Sequence, residues 1–221
     1  MNESKSSGKS PDNLGIATGS VTGDGPDAGL LFERAGLDEG RIQSIVGDAL
    51  QGCDDGELFL EYSQSESLVL DDGRIKSANF DTNQGFGLRA VAGEQTGYAH
   101  ASELNEAAVA RAGGAVQAVR AGHGGSMSEA PLATNQNLYP DDNPLGEDSF
   151  ADKVQLLGEV DSYARDRDAR VRQVTVSLHG QWQAVEIMRA DGRRIRDIRP
   201  LVRLNVAVVL GEGERQESGS H

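Results

Sequence analysis

Histidine is the first residue type to place, because imidazole serves both metal ligation and proton transfer near neutral pH. The chain has four: His100, His123, His179 and His221. A helical zinc pair needs two imidazoles one turn apart, at i and i+3 or i+4, so that both reach one ion. None of the four has such a neighbour. The single cysteine, Cys53, has no second thiol and no histidine close in sequence, which fits a small buried residue better than a ligand or nucleophile. A Gly-x-Ser-x-Gly elbow and a Gly-x-x-x-x-Gly-Lys phosphate loop are both missing. The glycines of Asn83-Gln84-Gly85-Phe86-Gly87 enter a strand pattern instead of opening a helix, so they predict a bulge or close strand packing. Acids pair at Asp54-Asp55, Asp71-Asp72 and Asp141-Asp142, each in turn sequence, where aspartate is favoured for backbone reasons. These residues nominate no catalytic, cofactor-binding or metal-binding position.

Charge narrows the function classes further. The 221 residues carry a net charge of −14, which would repel a phosphate backbone and argues against nucleic acid. One region runs the other way: residues 163–203 are rich in arginine and locally positive. Alternating arginines can cover the solvent face of a sheet, or they can form a docking face for an acidic partner or for another part of the same protein. The longest nearly apolar run, Leu201 to Leu210, is too short for a membrane span and is broken by Arg203 and Asn205. The first 28 residues lack an apolar leader, and one cysteine fits a reducing compartment, so the expectation is a cytoplasmic protein. The apolar fraction of 37%, with 28 glycines beside it, comes to about half the chain, the usual globular proportion.

The elements around these residues follow from periodicity. Residues 1–28 are small and polar and predict a disordered tail. Asp38 is a helix N-cap, with Ile42, Ile45, Val46, Ala49 and Leu50 at helical spacing. From Glu57 to His100 the period becomes two and predicts a meander of four or five strands, with a tight turn at Asp71-Asp72-Gly73-Arg74. A helix near Asn105 carries Val109, Ala112, Val116 and Val119, and residues 122–147 are a linker or long loop. A further helix carries Phe150, Val154, Leu157, Val160 and Ala164, before strands at 171–179, 182–188 and 201–210. In the last strand, Val202, Leu204, Val206, Val208 and Leu210 share an apolar face that points to the core. Nothing in residues 211–221 is expected to cover its edge. Runs of strands separated by helices predict an α+β fold: antiparallel meander sheets with helices packed between and against them. The expected organisation is a tail at 1–28, an α+β domain at 29–121, a linker at 122–147, and a helix with strands at 148–221.

Three stretches resemble one known family. They are Glu57-Leu-Phe-Leu-Glu-Tyr62, Leu70-Asp-Asp-Gly-Arg-Ile-Lys-Ser-Ala78, and Gln84-Gly-Phe-Gly-Leu-Arg-Ala-Val-Ala-Gly-Glu-Gln-Thr-Gly-Tyr-Ala99. With Arg172-Gln-Val-Thr-Val-Ser-Leu178 and Asp197-Ile-Arg-Pro-Leu-Val-Arg-Leu-Asn-Val206, in that order, they resemble the N-terminal region of TldD-type proteins of the TldD/PmbA metallopeptidase family. The resemblance covers roughly residues 29–218. It implies zinc-dependent hydrolysis of unfolded or extended peptides and a hetero-oligomer with a PmbA-like paralogue. The family's zinc ligands lie on a His-Glu-x-x-x-His helix beyond a Glu-Ser-Gly-Ser segment, and this sequence reads Glu217-Ser-Gly-Ser-His221. No family catalytic or zinc-binding residue therefore maps onto these positions. The expectation is an N-terminal portion that serves assembly and substrate enclosure, inactive alone and free of zinc. The alternative is a half-length, non-catalytic module that binds a PmbA-like partner or peptides by strand addition.

Overall fold

A computed structural model describes residues 30–120, 124–125 and 139–221; the tail at 1–28 and His123 lie outside the described residues. The elements are α1 (Leu30–Ala35), α2 (Glu39–Leu50), β1 (Asp55–Asp71), β2 (Arg74–Ala92), β3 (Gln95–Ala101), α3 (Glu106–Val116), α4 (Phe150–Arg167), β4 (Val171–Arg189), β5 (Arg194–Glu212) and β6 (Arg215–Ser220). All neighbouring strands are antiparallel, in the order β3-β2-β1-β4-β5-β6. The α+β reading holds, with one sheet that joins both strand runs through β1 and β4.

The strands are longer than periodicity predicts. The meander expected as four or five strands is three, the first of them 17 residues long, and the strands expected at 171–179 and 182–188 are one of 19. Between Tyr62 and Leu68 the chain is polar but lacks glycine and proline, so nothing breaks the ladder. In β4 the interruption is Gly180. A Cβ there would collide with the Leu145 side chain, so this glycine admits a close approach and does not make a turn. The turn at Asp72-Gly73 is as expected, with φ of 48° and 71°, the left-handed pair of a tight hairpin. The C-terminal segment departs from expectation. Arg215–Ser220 forms β6 and pairs with Ala207–Glu212, covering part of the edge of β5.

Helices cap as the sequence implies: Asp38 accepts from the Arg41 amide at 2.8 Å and Asn105 from the Ala108 amide at 2.8 Å. Ser149 and Asp152 form a capping box at the start of α4. The described helices α1 to α4 cover one face of the sheet, and they bury two apolar clusters. The larger joins α1, α2 and α3 to Leu58, Leu60, Tyr62, Phe86, Leu88 and Met188. The smaller sets Leu157 of α4 on Leu68, Leu70, Val174 and Val176, with Val206 packed beside them. Phe150, expected on the buried stripe of α4, is exposed. Val202 and Leu204 are exposed too, so only the lower part of β5's apolar face is covered.

A polar junction separates the clusters. Lys153 Nζ donates to Glu66 Oε2 at 2.9 Å and to the Leu145 carbonyl at 2.7 Å. Asn143 Nδ2 donates to Gln64 Oε1 at 2.6 Å, and Trp182 Nε1 to the Asp141 carbonyl at 3.2 Å. Gln64, Glu66 and Gly180 thus seat residues 141–145 on the middle of the sheet.

Candidate functional site

The opposite face of the sheet carries the odd-numbered residues of β1, and none of the described helices packs on it. An antiparallel sheet can leave one face to water, and this one does so with a polar, chemically varied surface. Register sets its rows. Asn79, Ser67, His179 and Arg203 lie side by side across four strands, and Asp81, Ser65, Gln181 and Leu201 form the adjacent row. Together they line an open depression of about 420 Å³. The side chains of Ser65, Ser67, Asn79, Asp81, His179 and Arg203 make no hydrogen bond or ion pair among the described residues.

Farther along the same face lies a second depression of about 330 Å³, lined by Phe59, Glu61, Gly85, Gly87, Tyr98 and His100. Gly87 pairs with Phe59 on one side and His100 on the other. A Cβ on Gly87 would fall 2.5 Å from the Tyr98 hydroxyl, so the tyrosine ring lies over the space that a side chain would fill. Tyr98 stacks on His100 with ring centroids 5.6 Å apart. Beyond them, Arg89 donates to Glu57 and to Asp55 at 2.7 Å each, and Arg189 donates to Asp55 at 2.7 Å. Partial burial raises the Asp55 pKa, but the bonds from Arg89 and Arg189 outweigh it and hold the carboxyl below its ordinary value. The Glu57 carboxylate, with Asp55, drives the Arg89 guanidinium further above its already high value.

The residues singled out in the sequence disperse. His100 and His179 occupy the same face but are separated by eight residues along β1, about 27 Å at ~3.4 Å per residue. Cys53 is fully buried in the larger apolar cluster. Among the described residues no group of three or more His, Cys, Asp or Glu converges on one point, so the donor set does not fit zinc. The acid pairs do more than build turns. Asp71 accepts from Gln173 and Thr175, bonds that with Lys76 lower its pKa against a small burial effect, and Asp72 accepts from the Val174 amide. The arginine-rich stretch is largely committed internally, through Arg165 to Asp161, Arg170 to Asp168, Arg189 to Asp55 and Arg199 to Asp197. Arg170 holds the Asp168 carboxyl down at about 2. The Tyr98–Phe59–Glu61 grouping was missed in the sequence, because the register that brings β3 over Gly87 has no local signal.

Comparison with known proteins adds the family. Residues 56–121 match the model of PmbA/TldA metallopeptidase domain 1, and residues 143–221 match that of the PmbA/TldA metallopeptidase central domain. A metalloprotease TldD homolog of Haemophilus influenzae is 39% identical over 174 residues, 77% of this chain and 36% of that protein. Among solved structures, a Bacteroides thetaiotaomicron protein described as a candidate modulator of DNA gyrase superposes with a TM-score of 0.65 at 17% identity, over 82% of this chain and 43% of its own. TldE from Thermococcus kodakarensis gives 0.64 at 12% identity, over 82% and 42%. The chain thus spans little more than a third of the length of the curated relative it matches. No described helix is long and apolar enough to cross a membrane.

Proposed function

The chain belongs to the PmbA/TldD metallopeptidase family, and from that premise we propose that it supplies the first domain and the beginning of the central domain of a TldD-like zinc metallopeptidase. In this reading residues 29–121 and 148–221 are the two family units joined by 122–147. The protein works in the cytoplasm on unfolded or extended peptides, in peptide maturation or degradation, beside a PmbA-like paralogue. These residues assemble the complex and enclose substrate, while the metal and the hydrolytic groups belong to positions outside the 221. The observation that carries the reading is the uncovered sheet face, whose central depression presents hydroxyl, amide, imidazole and guanidinium groups with no internal partner among the described residues. Such a surface can satisfy the backbone and polar side chains of an extended chain.

The purified chain is expected to retain no stoichiometric zinc after dialysis and to show no chelator-sensitive hydrolysis of unfolded peptides. It is expected to co-elute with a PmbA-like paralogue. One zinc per chain with chelator-sensitive turnover, or no complex with the paralogue, overturns the proposal. A second reading, a non-catalytic module that works by strand addition, is favoured by the outer edge of β5. Its pairing with β6 begins only near Val206, which leaves residues 194–205 paired to β4 on one side and with no described strand on the other.

A further inference from the structure

We infer that the depression formed by Phe59, Glu61, Gly85, Gly87, Tyr98 and His100 is a subsite for a cationic side chain, arginine before lysine, of an extended peptide lying on the open face. The floor is glycine, and the Tyr98 ring lies over Gly87 while the Ala101 carbonyl lies over Gly85, so a bound group meets the tyrosine ring and not the backbone of β2. Tyr98 is 65% exposed although its hydroxyl end lies over Gly87 and His100 stacks beside it, so ring surface not covered by either is available to a ligand. A ring face attracts cations, and a planar guanidinium can both stack on it and pair with a carboxylate.

Glu61 supplies that carboxylate. It lies in β1 opposite Gly85, lines the same depression, and makes no hydrogen bond or ion pair among the described residues. The nearby guanidiniums do not neutralise it, since Arg89 is held by Asp55 and Glu57 and Arg189 by Asp55. An anion would be repelled by Glu61 and by a chain of net charge −14. A neutral ring would desolvate the carboxylate without returning a partner. A cation satisfies the ring and the carboxylate together. The central depression offers no such selection, because Arg203 and Asp81 place both signs around it.

The subsite deepens the peptide-handling reading and rests on it for the extended peptide. The test is an NMR titration of the ¹⁵N-labelled chain with acetyl-Gly-Ala-Arg-Ala-Gly-amide and with the same peptide carrying citrulline, which keeps the shape and removes the charge. The arginine peptide is expected to bind about three- to tenfold more tightly, as for a partly exposed cation–π and carboxylate pair, with shifts at Gly85, Gly87, Tyr98 and His100. Glu61→Gln, at a half-buried surface position, abolishes the preference, Tyr98→Leu weakens it, and Glu214→Gln, exposed in the turn between β5 and β6, leaves it intact. Equal binding of the two peptides, shifts confined to Ser65, Ser67 and His179, or a preference that survives Glu61→Gln overturns the subsite alone. Absence of any peptide binding overturns both the subsite and the peptide-handling reading.

Discussion

Replacing Lys153 with methionine tests the junction between the two apolar clusters. The ammonium group, 9% exposed as a side chain, lies 2.9 Å from Glu66, itself 15% exposed, and donates to the Leu145 carbonyl at 2.7 Å. Methionine keeps much of the volume but strands a carboxylate that water barely reaches. Breaking a buried pair typically costs 3–5 kcal/mol, and the residual access of Glu66 to solvent brings the expectation here to about 3 kcal/mol. Glu66→Leu strands the ammonium instead, at about 2 kcal/mol, because the Leu145 carbonyl still accepts from it. The double variant leaves no charge behind and is expected within about 1 kcal/mol of the parent, since buried pairs often break even against apolar replacements. The coupling in the cycle is therefore about 4 kcal/mol. Urea unfolding followed by the fluorescence of Trp182, the single tryptophan, reads the same junction, because its ring nitrogen bonds the Asp141 carbonyl. Single variants that add to within about 0.5 kcal/mol of the double variant would refute the claim that this pair is buried and mutually dependent.

Two further outcomes follow from the sheet. Val206→Asp places a charge beside the smaller cluster and is expected to cost about 2 kcal/mol or more, whereas Asn205→Asp, on the open face, costs about 0.5 kcal/mol or less. Equal urea midpoints for the two would show that the faces are assigned the wrong way round. Asp55→Asn probes the carboxyl that Arg89 and Arg189 hold below its ordinary value. A lowered folded-state pKa contributes stability above the unfolded value of about 3.9, lost as pH falls through the folded one. The variant is therefore expected to be less stable at pH 7 by about 1 kcal/mol, a figure discounted for a carboxylate 30% exposed, and to converge with the parent as pH falls through the folded-state value. A deficit that grows on acidification would reverse the sign of the argument.

Helix positions were legible because their signals are local: Asp38 and Asn105 are caps in sequence and in space, and Ile42, Val46 and Val109 are fully buried or nearly so. α1 was not, since its six residues are too few to establish a period. Strand lengths were misjudged where polarity was taken for a break, at Ser63–Ser67, although an open sheet face accepts polar residues without interruption. β6 has no apolar alternation at all, and backbone pairing with β5 forms it. The family resemblance needed only order and spacing along the chain. The Tyr98–Glu61 depression and the Asp55–Arg89–Arg189 cluster each needed the register of three strands, which no single segment encodes.

β1 bears on how the chain reaches this state. It joins the two matched segments through its pairing with β4, while its other side pairs with β2 from within the first. During synthesis the first hairpin can close early, but β1 then presents a long edge of unpaired amides and carbonyls until β4 has emerged. The interval is lengthened by the chain between β3 and β4, whose described helices include α3 and α4. The polar residues Ser63, Gln64, Ser65, Glu66 and Ser67 occupy the middle of that waiting edge. They keep the nascent strand from being a continuous sticky template, a gatekeeping role distinct from anything they do once β4 has docked.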